Sequence, residues 1–159
     1  MAVNAVVKAA GIEGNSTVDQ GSIQIFSYSW GASIAHSMGV GANDSRSGKP
    51  DFQDLHITKA LDATSPFLFE KMCKNDPITE LTLKYFKNIK DTNALYIEYK
   101  LTNAFVTSLQ QSGSTENPVE SVSFAYDKIE FSYFKENATN DGVELAATKG
   151  YDIKTNTSV

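Results

Sequence analysis

The chain has 159 residues, a formal charge of −5 and a pI of about 5.0, with 21% charged and 11% aromatic side chains. That length suits one domain spanning 1–159, able to bury roughly 68–70% of its unfolded surface. The acidic balance, with no long basic run, speaks against nucleic acid or anionic membrane as an electrostatic partner, and no apolar run approaches the roughly 20 residues of a membrane span.

Residues 3–10 predict a first strand, stopped by Gly11 and Gly14. Its N-terminal neighbourhood, Met1-Ala-Val-Asn-Ala-Val-Val-Lys, has neither the basic start nor the apolar stretch of a secretory signal. The chain is therefore expected to fold in a cytoplasm, and any export to use another route. Residues 22–30 predict a stronger strand with two unlike faces. Gln24, Phe26, Tyr28 and Trp30 form an aromatic face expected to be buried. Ile23, Ile25, Ser27 and Ser29 form the other, which ends in two small hydroxyls and suits a wall meeting water or a close neighbour.

After Trp30-Gly31 the pattern decays into a long connection, 37–50. Loops beyond about 12–15 residues are usually functional or disordered. The segment reads either as a floppy hairpin tip or as an arm reaching a neighbouring subunit, with Met38 and Val40 as apolar docking points. Leu55, Ile57 and Lys59 then alternate with Asp54, His56 and Thr58, which is strand spacing. Ser65-Pro66 opens the one convincing helix, about residues 65–75, with Ser65 as N-cap and Pro66 at the first helical position. Leu68/Met72 and Phe69/Cys73 give it an apolar stripe. Cys73 is the only cysteine, so no intrachain disulfide forms, and its place on the stripe predicts a small buried hydrophobe.

The second half is a run of strands: 78–87, 94–101, 104–110, 119–126 and 128–134, with a last short one near 149–154. The single Asp127 between the fourth and fifth predicts a bulge or one bent strand rather than a hairpin. The fold expected is mainly β, two packed antiparallel sheets forming a barrel or sandwich beside one helix.

Catalytic chemistry is thin. His36 and His56 are the only histidines, neither lies in an HExxH arrangement, and one cysteine cannot complete a zinc set. His56 beside Asp54 reads as a solvated polar pair. The serines lack a G-x-S-x-G elbow, and Gly39-x-Gly41 lacks the strand-to-helix context of a phosphate loop. No enzyme, cofactor or metal is expected from these residues.

One larger pattern stands out. Trp30-Gly31 closes an aromatic strand ahead of the glycine-containing arm, and Asp54-Leu-His-Ile-Thr-Lys-Ala-Leu-Asp leads to the Ser65-Pro66 helix. Pro118-Val-Glu-Ser-Val-Ser-Phe-Ala-Tyr-Asp-Lys-Ile-Glu-Phe-Ser-Tyr and a closing Gly150-Tyr-Asp-Ile follow. Over nearly the whole chain this order and spacing resembles the Hcp (haemolysin-coregulated protein) family, inner-tube proteins of bacterial type VI secretion systems. The resemblance implies a β-barrel of two packed sheets flanked by one helix, hexameric rings stacking into a tube, and propulsion by a contractile sheath behind a spike-tip protein. Further partners so implied are baseplate proteins and effectors chaperoned in the pore. It also implies bacterial cytoplasm followed by signal-less secretion to the exterior or a target cell. On that reading Ser27 and Ser29 face the lumen, and Met38, Val40, Arg46 and Lys49 contact the next subunit. Two rival classes stay open: a monomeric barrel or sandwich binding a small molecule or carbohydrate through Tyr96/Tyr99 or Phe131/Tyr133, and a hydrolase whose Ser, His and Asp converge in space.

Overall fold

The computed structural model describes residues 4–35, 49–139 and 142–159. In chain order the strands are β1 (Asn4–Ala9), β2 (Ile23–Ile25), β3 (Ser27–Ser29), β4 (Ala32–Ser33), β5 (Asp51–Phe52) and β6 (Leu55–Ala60). Helix α1 (Ser65–Lys74) follows, then β7 (Ile78–Ile89), β8 (Thr92–Ser112), β9 (Val119–Ala125), β10 (Lys128–Glu136), β11 (Val143–Asp152) and β12 (Thr157–Ser158).

One antiparallel path runs β12-β11-β10-β8-β7-β1-β2, and a second, β3-β6-β9, joins the far half of β8. β8 belongs to both. Its residues up to Ala104 pair with β7 and partly with β10, and those from Phe105 onward pair with β9. Residues 94–101 and 104–110, expected as separate strands, are thus one strand of 21 residues. Asn103, at φ 52°, turns it from one wing of the sheet into the other. Asp127 makes the matching turn between β9 and β10: its N–H donates to Thr102 O at 3.0 Å, and Asn103 Nδ2 donates to its carboxylate at 3.1 Å. As expected, no hairpin forms at Asp127, but β9 and β10 are two strands separated by a turn, each paired with β8, rather than one bent strand. Closure into a barrel does not occur. β2, β3 and β12 end their paths without pairing to one another, so the two wings pack as a sandwich.

The 22–30 stretch also departs from the single alternation expected of it. Ile23 and Ile25 are buried, whereas Phe26 is 64% exposed. The chain changes wings at Phe26: β2 pairs with β1, Phe26 N–H donates to Thr58 O at 2.7 Å, and β3 pairs with β6. The side facing the core therefore switches from Ile23/Ile25 to Tyr28/Trp30, both packed against it. Upstream, Gly11 adopts φ 82°, and a Cβ on Gly14 would lie 2.2 Å from Ser22 O, so the turn after β1 admits no side chain there.

Apart from Val6 and Ala94, the buried apolar side chains form one cluster drawn from both wings and α1. Ser65 is the first helical residue rather than the N-cap. Thr64 holds that position without a side-chain cap bond, and Asn75 closes the other end in the left-handed region. Leu68 is fully buried and Met72 packs on the core, but Phe69 is 54% exposed and Cys73 is exposed. The reason is angular. Phe69 and Cys73 sit about 100° around the helix from Leu68 and Met72, and a helix resting on a sheet along one line covers only one such pair. Leu68→Ala should therefore cost about 2–5 kcal/mol and Cys73→Ser no more than about 0.5 kcal/mol. Urea midpoints of the two variants check this, and a buried-cysteine reading would require comparable losses.

Candidate functional site

Along β6, Leu55, Ile57 and Lys59 point inward while His56 and Thr58 point out; along β9, Glu120, Val122 and Phe124 point inward while Ser121 and Ser123 lie on the opposite face. The register then aligns two polar rows across four strands. Ser29, His56, Ser123 and Ser108 form one, and Ser27, Thr58, Ser121 and Gln110 the other. The rows bond internally: Ser27 Oγ to Thr58 Oγ1 at 2.5 Å, His56 Nδ1 to Ser123 Oγ at 2.6 Å, and Ser108 Oγ to Ser123 Oγ at 3.0 Å. Ser27 and Ser29, singled out from sequence, are both exposed on this face. Sequence reasoning missed their partners on β6, β8 and β9. Each of those strands alternates, but which strands are neighbours is a matter of topology.

Asp54 at the end of this face accepts a bond from Thr107 Oγ1 at 2.7 Å, while His56 bonds to Ser123. Among the described residues no carboxylate bonds to His56, so Ser, His and Asp do not form a catalytic relay. Lys49 is exposed; Met38, Val40 and Arg46, like His36, lie outside the described residues.

Behind the polar face lies a charged cluster. Lys59 and Glu120 have 0% side-chain exposure, and Lys59 Nζ lies 3.0 Å from Glu120 Oε2. The same ammonium donates to Asp62 Oδ1 at 3.0 Å, Ser65 Oγ at 3.1 Å and Ala60 O at 3.2 Å. Ser65 Oγ donates to Glu120 Oε2 at 2.6 Å, and Gln111 Nε2 reaches the other Glu120 oxygen at 3.4 Å. Burial would raise the Asp62 carboxyl, but hydrogen bonds from Thr64 and Lys59 outweigh it and hold the group below the ordinary carboxylate value. The alternation groups Lys59 with Leu55 and Ile57, and the pairing with β9 shows why a lysine belongs on that inward face. A shallow cavity of about 440 Å³ between Leu61, Pro66, Phe69 and Gln111 opens over Asp62 and Ser65.

The aromatic pairs that could have stacked on a ligand are engaged with one another. Tyr99 and Phe131 lie 4.9 Å apart, Tyr96 and Tyr133 5.4 Å, and Tyr28 and Trp30 both pack on Tyr99. Tyr126, whose hydroxyl donates to Gln53 O at 2.8 Å, is pushed up to about 12 by burial and by the nearby Asp54 carboxylate. Among the described residues no three His, Cys, Asp or Glu side chains gather as a metal site, and no helix is long and apolar enough to cross a membrane.

Residues 6–133 match a family model described as "Type VI secretion system effector, Hcp". No curated protein sequence matches the chain. Among solved structures, one described as a type six secretion system protein shares 23% identity at a TM-score of 0.87, covering 99% of this chain and 100% of its own. Hcp1 from Salmonella typhimurium shares 24% identity at a TM-score of 0.79, with full coverage of both chains. A type VI secretion system effector from Yersinia pestis shares 24% at a TM-score of 0.69, over 93% of this chain and 98% of its own. At these identities the structural likeness speaks to the fold.

Lys59→Met should cost about 3–5 kcal/mol, because it strands a buried carboxylate, and adding Glu120→Leu should restore part of the loss; urea midpoints of the single and double variants measure both. Asp62 has a folded-state value below its unfolded one, so it stabilises the fold above the carboxylate range. That contribution is lost as pH falls from about 4 through the folded-state value. Asp62→Asn should accordingly flatten the acid limb of midpoint against pH; an unchanged limb would place acid sensitivity elsewhere.

Proposed function

We propose that the chain, which belongs to the Hcp family of type VI secretion, is a structural tube protein rather than an enzyme and acts as one domain whose six copies close into a ring that stacks into the system's inner tube. In this reading the ring leaves the bacterial cytoplasm driven by sheath contraction behind a spike-tip protein, with baseplate proteins as further partners and effectors carried in the pore.

The observation that carries the reading is the polar face reached through β3. A wall around water should present small, self-satisfied polar groups, and the rows containing Ser27 and Ser29 do so. Among the described residues β3 pairs only with β6, and residues 143–149 of β11 pair only with β10, which leaves unpaired strand edges on both. Open edges invite pairing, and a closed ring satisfies such contacts without an unending in-plane polymer. Ser27 and Ser29 face the lumen in this arrangement, and the 38–49 arm, with Met38, Val40, Arg46 and Lys49, contacts the next subunit.

Light scattering on the purified chain should give a mass near six chains, with ring views in negative stain; a monomer over a wide concentration range would overturn the assembly. Ser29→Arg should leave rings intact and abolish stabilisation of a co-expressed effector, whereas unchanged effector levels would remove Ser29 from cargo contact. Deleting 38–48 should yield monomers that stay folded by circular dichroism, and a persistent hexamer would free the arm of that role.

A further inference from the structure

The cavity over Asp62 and Ser65 combines two chemistries that the tube reading does not use. Leu61, Pro66 and Phe69 supply an apolar lining, and Asp62, Ser65 and Gln111 supply the polar part. Pro66 and Phe69 lie exposed on the flank of α1 that the sheet leaves uncovered. At about 440 Å³ the space falls within the range of ligand clefts, roughly 300–1,000 Å³.

Beneath it two carboxylates, Asp62 and Glu120, share one ammonium, Lys59, so the cluster carries a net negative charge. Both Glu120 oxygens are engaged, Oε2 by Lys59 and Ser65 and Oε1 by Gln111. Asp62 is different. Its three donors, Lys59 Nζ, Thr64 N and Thr64 Oγ1, all reach Oδ1. Among the described residues Oδ2 receives none, on a side chain that keeps 18% exposure. Gln111 turns its amide nitrogen to Glu120, which leaves the amide oxygen as a second acceptor. No cation lines the cavity. An anion is poorly matched here, although α1 starts at this place. Ser65 N donates to Asp62 O, Leu68 N to Thr64 O, and Pro66 has no N–H. The positive helix end offsets only about half a charge.

We propose that this cavity receives the side chain of a lysine presented by a partner polypeptide. The ammonium donates to Asp62 Oδ2 and to the Gln111 amide oxygen, and the four-carbon stem lies along Leu61, Pro66 and Phe69. Lysine fits better than arginine because Asp62 offers one oxygen, whereas a guanidinium fork is matched by two. The site is contained in one chain and does not depend on closure of a ring.

The test is saturation-transfer NMR on the full chain with a blocked tripeptide carrying a central lysine. The lysine stem should receive saturation, and the same tripeptide with acetyl-lysine should bind about tenfold more weakly. Asp62→Asn should weaken the lysine peptide by a similar factor. Phe69→Ala, at an exposed position and folded by circular dichroism, should weaken it roughly threefold. Equal binding of the acetyl-lysine peptide would leave an apolar groove without charge recognition and overturn the proposal. Unchanged binding in Phe69→Ala would place the contact elsewhere and overturn it as well. An arginine peptide that binds as tightly as the lysine peptide would defeat the one-oxygen geometry on which the choice of lysine stands.

Discussion

An ammonium group removed from water must be surrounded by acceptors, and few arrangements supply them. Lys59 finds a Glu120 oxygen across the strand pair, Asp62 and Ala60 O in the turn that follows, and Ser65 at the start of α1. The demand fixes three things together: the register of β6 against β9, the conformation of residues 61–64, and the place where the helix begins. Ser65 is recruited twice over, since its hydroxyl also receives the Asp62 N–H at 3.1 Å and donates to Glu120. A slip of one residue between β6 and β9 would carry Lys59 to the outside and turn His56 and Thr58 into the core. The polar face and the ionic cluster are thus front and back of one register.

Around that register the wings are joined by coordinated changes of direction. Asn103 in β8 and Asp127 between β9 and β10 turn at the same level and bond to each other, bridging the gap where β8 passes from pairing with β10 to pairing with β9. On the other side of the molecule Phe26 carries the chain from β2 into β3. These transfers let one hydrogen-bonded sheet fold over its own core. Among the described residues they also leave the outer edges of β3 and of most of β11 unpaired.

Much of this was legible in the residues, and the failures share a cause. Strands and helix were visible because alternation and the Ser-Pro signal are local, as with Leu55/Ile57/Lys59 and Ser65-Pro66. Barrel and sandwich stayed open because closure depends on whether end strands meet, which no local period records. Phe26 was misplaced because a phase change between two short strands looks like continuous alternation. Ser65 was read as a cap because its local preference fits one, while its actual partners lie six residues before it and 55 after. Cys73 was read as buried because the helical stripe says which residues share a line, not which line the sheet covers. Of the candidate face, Ser27 and Ser29 could be seen in one strand. His56, Ser108 and Ser123 could not be joined to them without the strand order.

The length of β8 carries a consequence for how the molecule reaches this state. The hairpin of β7 and β8 turns on Lys90 and Asp91, both with positive φ, and zips residues that are neighbours in sequence. Such a hairpin can close on a timescale of about 1–10 μs. The partners it must then capture are remote: β1 pairs with β7 across most of the first half of the chain, and β6 reaches β9 across the helix and the hairpin together. Long closures of this kind dominate the entropic barrier. A nascent chain that has emitted only its first half holds β1 and β6 with their main partners still unmade, so the order of synthesis leaves the sticky strands waiting for the hairpin that organises them.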